Sequence, residues 1–98
     1  MRLNHQQIML HFVHPTESSK ILTATVGSSA TPHYLVDQMV KGAFLAKPGV
    51  GAEYKLVDTI TGKELADHVT LAAASVASNT TLNILHSVTG AGLYRTSR

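Results

Sequence analysis

Ninety-eight residues with a formal charge of +2, 44% hydrophobic and 14% charged side chains suit one globular domain and not a disordered chain. With no cysteine, disulfides, thiolate metal sites and cysteine nucleophiles are excluded. The eight lysines and arginines are scattered from Arg2 to Arg98 and aromatics make up 5%, so no basic, stacking face for nucleic acid is built. The start, MRLNHQQIMLHF, holds too short and too polar an apolar run for a secretion signal, and no stretch approaches the roughly 20 apolar residues of a membrane span, so a cytoplasmic address without membrane partners is expected.

In chain order, QQIMLHFV (6–13) alternates like a strand, with Ile8, Leu10 and Phe12 on one face and Gln7, Met9 and His11 on the other. His14-Pro15 ends it and PTESSK is a polar turn. ILTATV (21–26) alternates again, with Leu22, Ala24 and Val26 on one side and Thr23 and Thr25 on the other, which completes a hairpin. Thr31-Pro32 is a helix start, because a threonine oxygen accepts from a free amide at the N-cap and proline at the first position has no amide to waste. Leu35, Val36, Met39, Val40, Ala43 and Phe44 recur at three-to-four spacing, which predicts a helix over about 32–45, stopped by Pro48-Gly49.

EYKLVDTI (53–60) reads as a third strand with Tyr54 and Leu56 inward and Lys55 and Val57 outward. Thr61-Gly62 turns the chain into a short returning strand, Lys63-Glu64-Leu65. Residues 66–80 are small and polar around Leu71 and Val76, which predicts irregular backbone with one short helical turn. TTLNILHSV (80–88) supplies Leu82 and Ile84 inward and Leu85 outward. The order ββαβ(β)β, with one apolar helix stripe laid on one face of a mixed sheet of four to five strands, is an α+β two-layer design.

The run T-G-K-E-L-A-D-H-V-T-L (61–71) resembles ubiquitin's A-G-K-Q-L-E-D-G-R-T-L. Continuing without a gap, Val76, Thr81, Leu82 and Ile84 fall on ubiquitin's last core apolars and Gly90-Ala91 on its di-glycine end, while two extra residues enter around Thr59 and Ile60. The likeness in pattern covers roughly residues 7–92 and implies a ubiquitin-like β-grasp domain over 1–92, ending in a flexible glycine-containing tail, with 93–98 as a short extension.

Modifiers of that family act through their last carboxylate, which is adenylated, passed between enzymes as an activated ester and joined to a target. A narrow channel has to thread the final residues in extended form, and residues with little or no Cβ bulk pass easily. Thr89-Gly90-Ala91-Gly92 meets that need and Leu93 does not, so LYRTSR resembles a precursor tail removed by a peptidase. Gly92 is the favoured new terminus, with Gly90 and Ala91 as rivals, since the ungapped register puts Ala91 in ubiquitin's last position. A tail that is not di-glycine looks most like the ubiquitin-like modifiers of bacterial conjugation operons. That resemblance implies an adenylating enzyme, a conjugating enzyme, a deconjugating peptidase and a target protein as partners, and no cofactor.

Ubiquitin also docks partners on an exposed apolar patch, and the matching positions here are Val57 and Leu85, with His86 beside the latter. The first hairpin turn carries no leucine, so the patch's third member is missing. Lys63 falls on a chain-linking lysine of ubiquitin; a solvated turn lysine is the alternative. His11 and His14, three residues apart on a strand, point to opposite faces and do not converge on a metal. No nucleophile elbow, HExxH, phosphate loop or carboxylate pair is present, so no enzyme activity is expected. Two rival readings stay open: a non-conjugated interaction module of the secretion-accessory type, and a sulfur carrier ending in a thiocarboxylate.

Overall fold

The computed structural model describes residues 6–88. Four strands, β1 (Gln7–Val13), β2 (Ile21–Gly27), β3 (Ala52–Asp58) and β4 (Thr80–Val88), and one helix, α1 (Pro32–Lys41), follow one another as β1-β2-α1-β3-β4. The sheet order is β2-β1-β4-β3. The two hairpin-type pairings are antiparallel, and β1 with β4 is parallel, from Leu10↔Thr80 to Val13↔Asn83.

The period-two pattern decides the faces. Ile8, Leu10, Phe12, Tyr54, Leu56, Leu82 and Ile84 are buried on one side of the sheet, against Leu35 and Met39 of α1. Leu45, Leu65, Leu71 and Val76 come from the connections and complete this core. α1 starts as its sequence dictates: Thr31 is in extended conformation, its hydroxyl accepts from the Tyr34 amide at 3.2 Å, and Pro32 occupies the first turn.

α1 ends at Lys41 and not at 45, because the apolar recurrence runs on while the backbone does not. The Gly42 amide still bonds to the Gln38 carbonyl, but Ala43 takes the left-handed conformation with φ 65°. The amides of Phe44 and Leu45 then both turn back to the Met39 carbonyl. Phe44 is thereby directed toward the first hairpin turn, where its ring meets His14 edge-on at 5.4 Å between centroids. The short strand expected at 63–65 reduces to one bridge, Val57↔Glu64, so among the described residues the sheet has four strands.

Residues 66–79 contain turns and no regular helix. Their backbone is nonetheless fixed: Leu71 and Ala72 donate to the carbonyls of Ala30 and Ser28, and the His33 amide donates to Asp67. At the far end the Asn79 amide bonds to the Met9 carbonyl at 2.6 Å, and the Ser78 hydroxyl accepts from the Met9 amide. The segment thus delivers the chain to β4 in parallel register with β1. Among the described residues no helix is long and apolar enough to cross a membrane.

Candidate docking face and tail exit

The sheet face away from α1 carries the outward residues of all four strands. Cross-strand register lays out one row on it: Ile21 opposes Val13, Val13 stands beside Asn83, and Asn83 opposes Val57. Leu85, two residues further along β4, opposes Lys55 and lies diagonal to Val57. Ile21 is 54% exposed and Leu85 48%, while Val13 and Val57 are half-buried. An apolar row with a polar Asn83 at its centre is the composition of a small docking surface, in which a few apolar anchors carry most of the binding energy.

Two residues of this row escaped the sequence reading. Val13 and Ile21 flank the first hairpin turn and extend the apolar row toward it. Their signal was the alternation itself, since Phe12 and Leu22 facing inward force their neighbours outward. Ile60, 85% exposed, adds an apolar tip at the β3 end of the sheet. It sits on a turn braced by Asp58, whose carboxylate accepts from the amides of Ile60 at 2.8 Å and Thr61 at 3.3 Å.

His86 does not belong to this face. It opposes Tyr54 on the helix side of the sheet, with ring centroids 5.3 Å apart, and the Tyr54 hydroxyl donates to the Ala46 carbonyl at 2.7 Å. The even-numbered residues of β4 all point that way, so grouping His86 with Leu85 by adjacency is corrected by the strand's period of two. His11 and His14 likewise have separate employment. His11 Nδ1 lies 2.8 Å from the Thr23 hydroxyl, whereas His14 Nδ1 accepts from the amides of Thr16 and Glu17 and ties down the turn.

The lysines near the face differ in what holds them. The Lys55 ammonium donates to Asp67 at 2.9 Å and lies 3.8 Å from Glu53 and 4.0 Å from Glu64. The Asp67 hydrogen bond above all raises its pKa against the opposing effect of burial, with the nearby carboxylates adding to the rise. A proton held this firmly makes Lys55 a poor nucleophile. Lys63 is exposed at the Thr61-Gly62 turn, and its ammonium takes part in none of the ion pairs among the described residues.

β4 lies inside the sheet, with Leu82 and Ile84 fully packed, and its last pair is Ala52↔Val88. The predicted tail residues Gly90, Ala91, Gly92 and Leu93 follow Val88 and lie outside the described residues.

No protein-family model and no curated protein matches this sequence. Solved structures do match in shape. A ubiquitin from Caldiarchaeum subterraneum superposes with a TM-score of 0.65 at 19% identity, over 87% of this chain and 99% of that one. A protein designed on the basis of ubiquitin gives 0.63 at 17% identity, over 94% and 93%. A structure described as molecular mimicry of SUMO promoting DNA repair gives 0.65 at 11%, over 85% and 95%. The fold is the ubiquitin-like β-grasp.

Proposed function

We propose that this ubiquitin-like chain is the precursor of a protein modifier, cut near Gly92 and conjugated through the carboxylate that the cut exposes. The observation that carries the reading is that β4, anchored in the core by Leu82 and Ile84, runs to Val88, with Thr89-Gly90-Ala91-Gly92 next in the sequence. A rigid body followed at once by slim residues is what an enzyme channel can grip and thread. In this reading an adenylating enzyme activates the carboxylate, a conjugating enzyme receives it as an activated ester, and an amine or hydroxyl of the target takes the acyl group. A peptidase removes Leu93 to Arg98 beforehand and reverses the linkage afterwards. The chain itself contributes no catalytic group.

The outer row of Ile21, Val13, Val57 and Leu85 serves those enzymes as a docking face, and Lys63, exposed and without an ion pair among the described residues, is the acceptor for chain extension where one is used. The reading includes a bacterial cytoplasm, with the processing and conjugating enzymes encoded alongside. A second reading, a docking module that is never conjugated, is favoured by the same outer row, which needs no tail.

Co-expression with the neighbouring peptidase and activating enzyme, followed by intact mass measurement, tests the proposal. Loss of residues after Gly92, Ala91 or Gly90 is expected, and an unchanged full-length mass overturns it. Exchanging both Gly90 and Gly92 for valine is expected to abolish conjugates in cells; conjugates at wild-type level would contradict the threading argument. Truncation after Val88 separates the two readings, because the module keeps its binding while the modifier loses its function.

A further inference from the structure

The two edges of the sheet are treated differently. The β3 edge is covered over Leu56–Asp58, where Glu64 bridges to Val57 and the Leu65 amide donates to the Leu56 carbonyl, and along the rest it carries charge, with Lys55 paired to Asp67, Glu53 and Glu64. The β2 edge is bare. Among the described residues β1 alone pairs with β2, and Ile21–Gly27, ILTATVG, spans seven residues without a charge, a proline or a bulge. Sheet edges left in solvent ordinarily carry one of those devices, because unpaired amides and carbonyls in a row are a template for another strand. The inner face of β2 is also under-covered. Leu22, Ala24 and Val26 stay half-buried where the matching residues of β1 and β4 are fully buried, and with Leu35, Met39 and Phe44 they line an open groove of about 240 Å³.

We infer that this edge pairs with the β2 edge of a second copy of the chain, antiparallel and about a two-fold axis through Ala24. Self-complementarity selects the second copy as occupant. The register that pairs all seven residues sets Leu22 against Val26 of the partner subunit on the groove side, so that two half-covered apolar rows meet. On the other face it sets Thr23 against Thr25 of the partner subunit, and threonine pairs are favourable neighbours across strands. No charge opposes a like charge, since Lys20, next to β2, falls at opposite ends of the two-fold pair, roughly 27 Å apart for eight residues of strand. The contact is isologous and closes at two copies, which leaves the Leu85 end of the outer face available in each. With one strand per copy it sits at the small end of stable interfaces, so association in the micromolar range or weaker follows.

Sedimentation of the full chain from about 10 µM to about 1 mM is the test, the span over which a weak interface of this size changes occupancy. The mean mass is expected to rise from one chain toward two. T23K/T25K and T23E/T25E each place like charges opposite one another twice per dimer, and each is expected to weaken self-association about tenfold. Circular dichroism melts establish that both variants are folded. Mixed one to one, they are expected to form a heterodimer tighter than either self-pair. A monomeric wild type at 1 mM, a dimer indifferent to both variants, or folded variants that do not associate on mixing each overturns the inference; so does a wild type that stays monomeric while binding an added extended peptide along β2.

Discussion

Two leucines separate folding from docking. Leu71 has no exposed surface although it sits in a segment without regular structure, and its amide is bonded to the Ala30 carbonyl. Leu85 lies on a regular strand and is 48% exposed. For Leu71→Ala the lost transfer energy and the residual cavity act together, and a fully enclosed site puts the cost at about 3–4 kcal/mol. A domain of this size has about 5–15 kcal/mol in total, so at least roughly a fifth of its stability rests on one loop side chain. For Leu85→Ala about half of the side chain is already in water, and the cost is about 0.5–1 kcal/mol. Urea unfolding at neutral pH measures both. With a slope of about 1–1.5 kcal/mol per molar, the Leu71 variant is expected to lower the midpoint by about 2–4 M and the Leu85 variant by less than about 1 M. Equal shifts would mean that residues 66–79 are not part of the cooperative core. In the same pair of variants the ranking for partner binding is expected to reverse, with Leu85→Ala losing affinity while its fold stays intact.

Three further outcomes test local features. Thr31→Ala removes the acceptor for the Tyr34 amide and is expected to cost about 1 kcal/mol, read as a fall of about 4–8 °C in the thermal midpoint. Ala43→Gly relieves the left-handed backbone after α1 and is expected to raise stability by about 0.5–1 kcal/mol, despite adding a glycine. Lys55 has a raised pKa when folded, so its contribution is fully present below its unfolded value near 10.5 and is lost as pH climbs through the folded value. The stability gap between wild type and Lys55→Met, measured by urea unfolding, is therefore expected to be constant from pH 7 to about pH 9.5 and to shrink once pH passes the unfolded value near 10.5.

Features encoded by neighbouring residues were legible in the sequence; those encoded by register were not. Ile8-Leu10-Phe12 and Leu82-Ile84 declare their inward face by alternation, and Thr31-Pro32 declares a helix start by the chemistry of free amides. The helix end was misjudged because Ala43 and Phe44 continue the apolar spacing. Only the backbone turn at Ala43 takes Phe44 off the helix and seats Leu45 in the core. The row Ile21-Val13-Asn83-Val57 draws on strands up to about seventy positions apart, and the parallel β1-β4 pairing that aligns it has no local signature. The same holds for Lys55 and Asp67, which meet across a turn and a bridge. His86 was placed by adjacency where the strand period should have decided. The tail rests on resemblance and composition, beyond the described residues.

The pairing of β4 bears on how such a tail would be handled. Residues 80–83 are held by β1 on one side, and residues 82–88 by β3 on the other. Both neighbours therefore overlap only at Leu82 and Asn83, and from Ile84 onward β3 alone holds the strand. Ser87 and Val88 are at the end of this single-sided stretch and contribute no buried side chain, whereas Ile84 is 2% exposed and anchored in the core. An enzyme drawing the tail into a channel can peel Val88 and Ser87 from Ala52 and Glu53 at the cost of edge hydrogen bonds, each worth only about 0.5–1.5 kcal/mol net. His86 and Leu85, both exposed, come next, and only beyond them does the pull have to extract Ile84 and break the core, at about 2–5 kcal/mol for that side chain alone. If the tail is threaded in this way, the scaffold sets the limit: up to four residues of strand, Leu85 to Val88, can be lent to a slot beyond the glycines before the pull meets the buried Ile84.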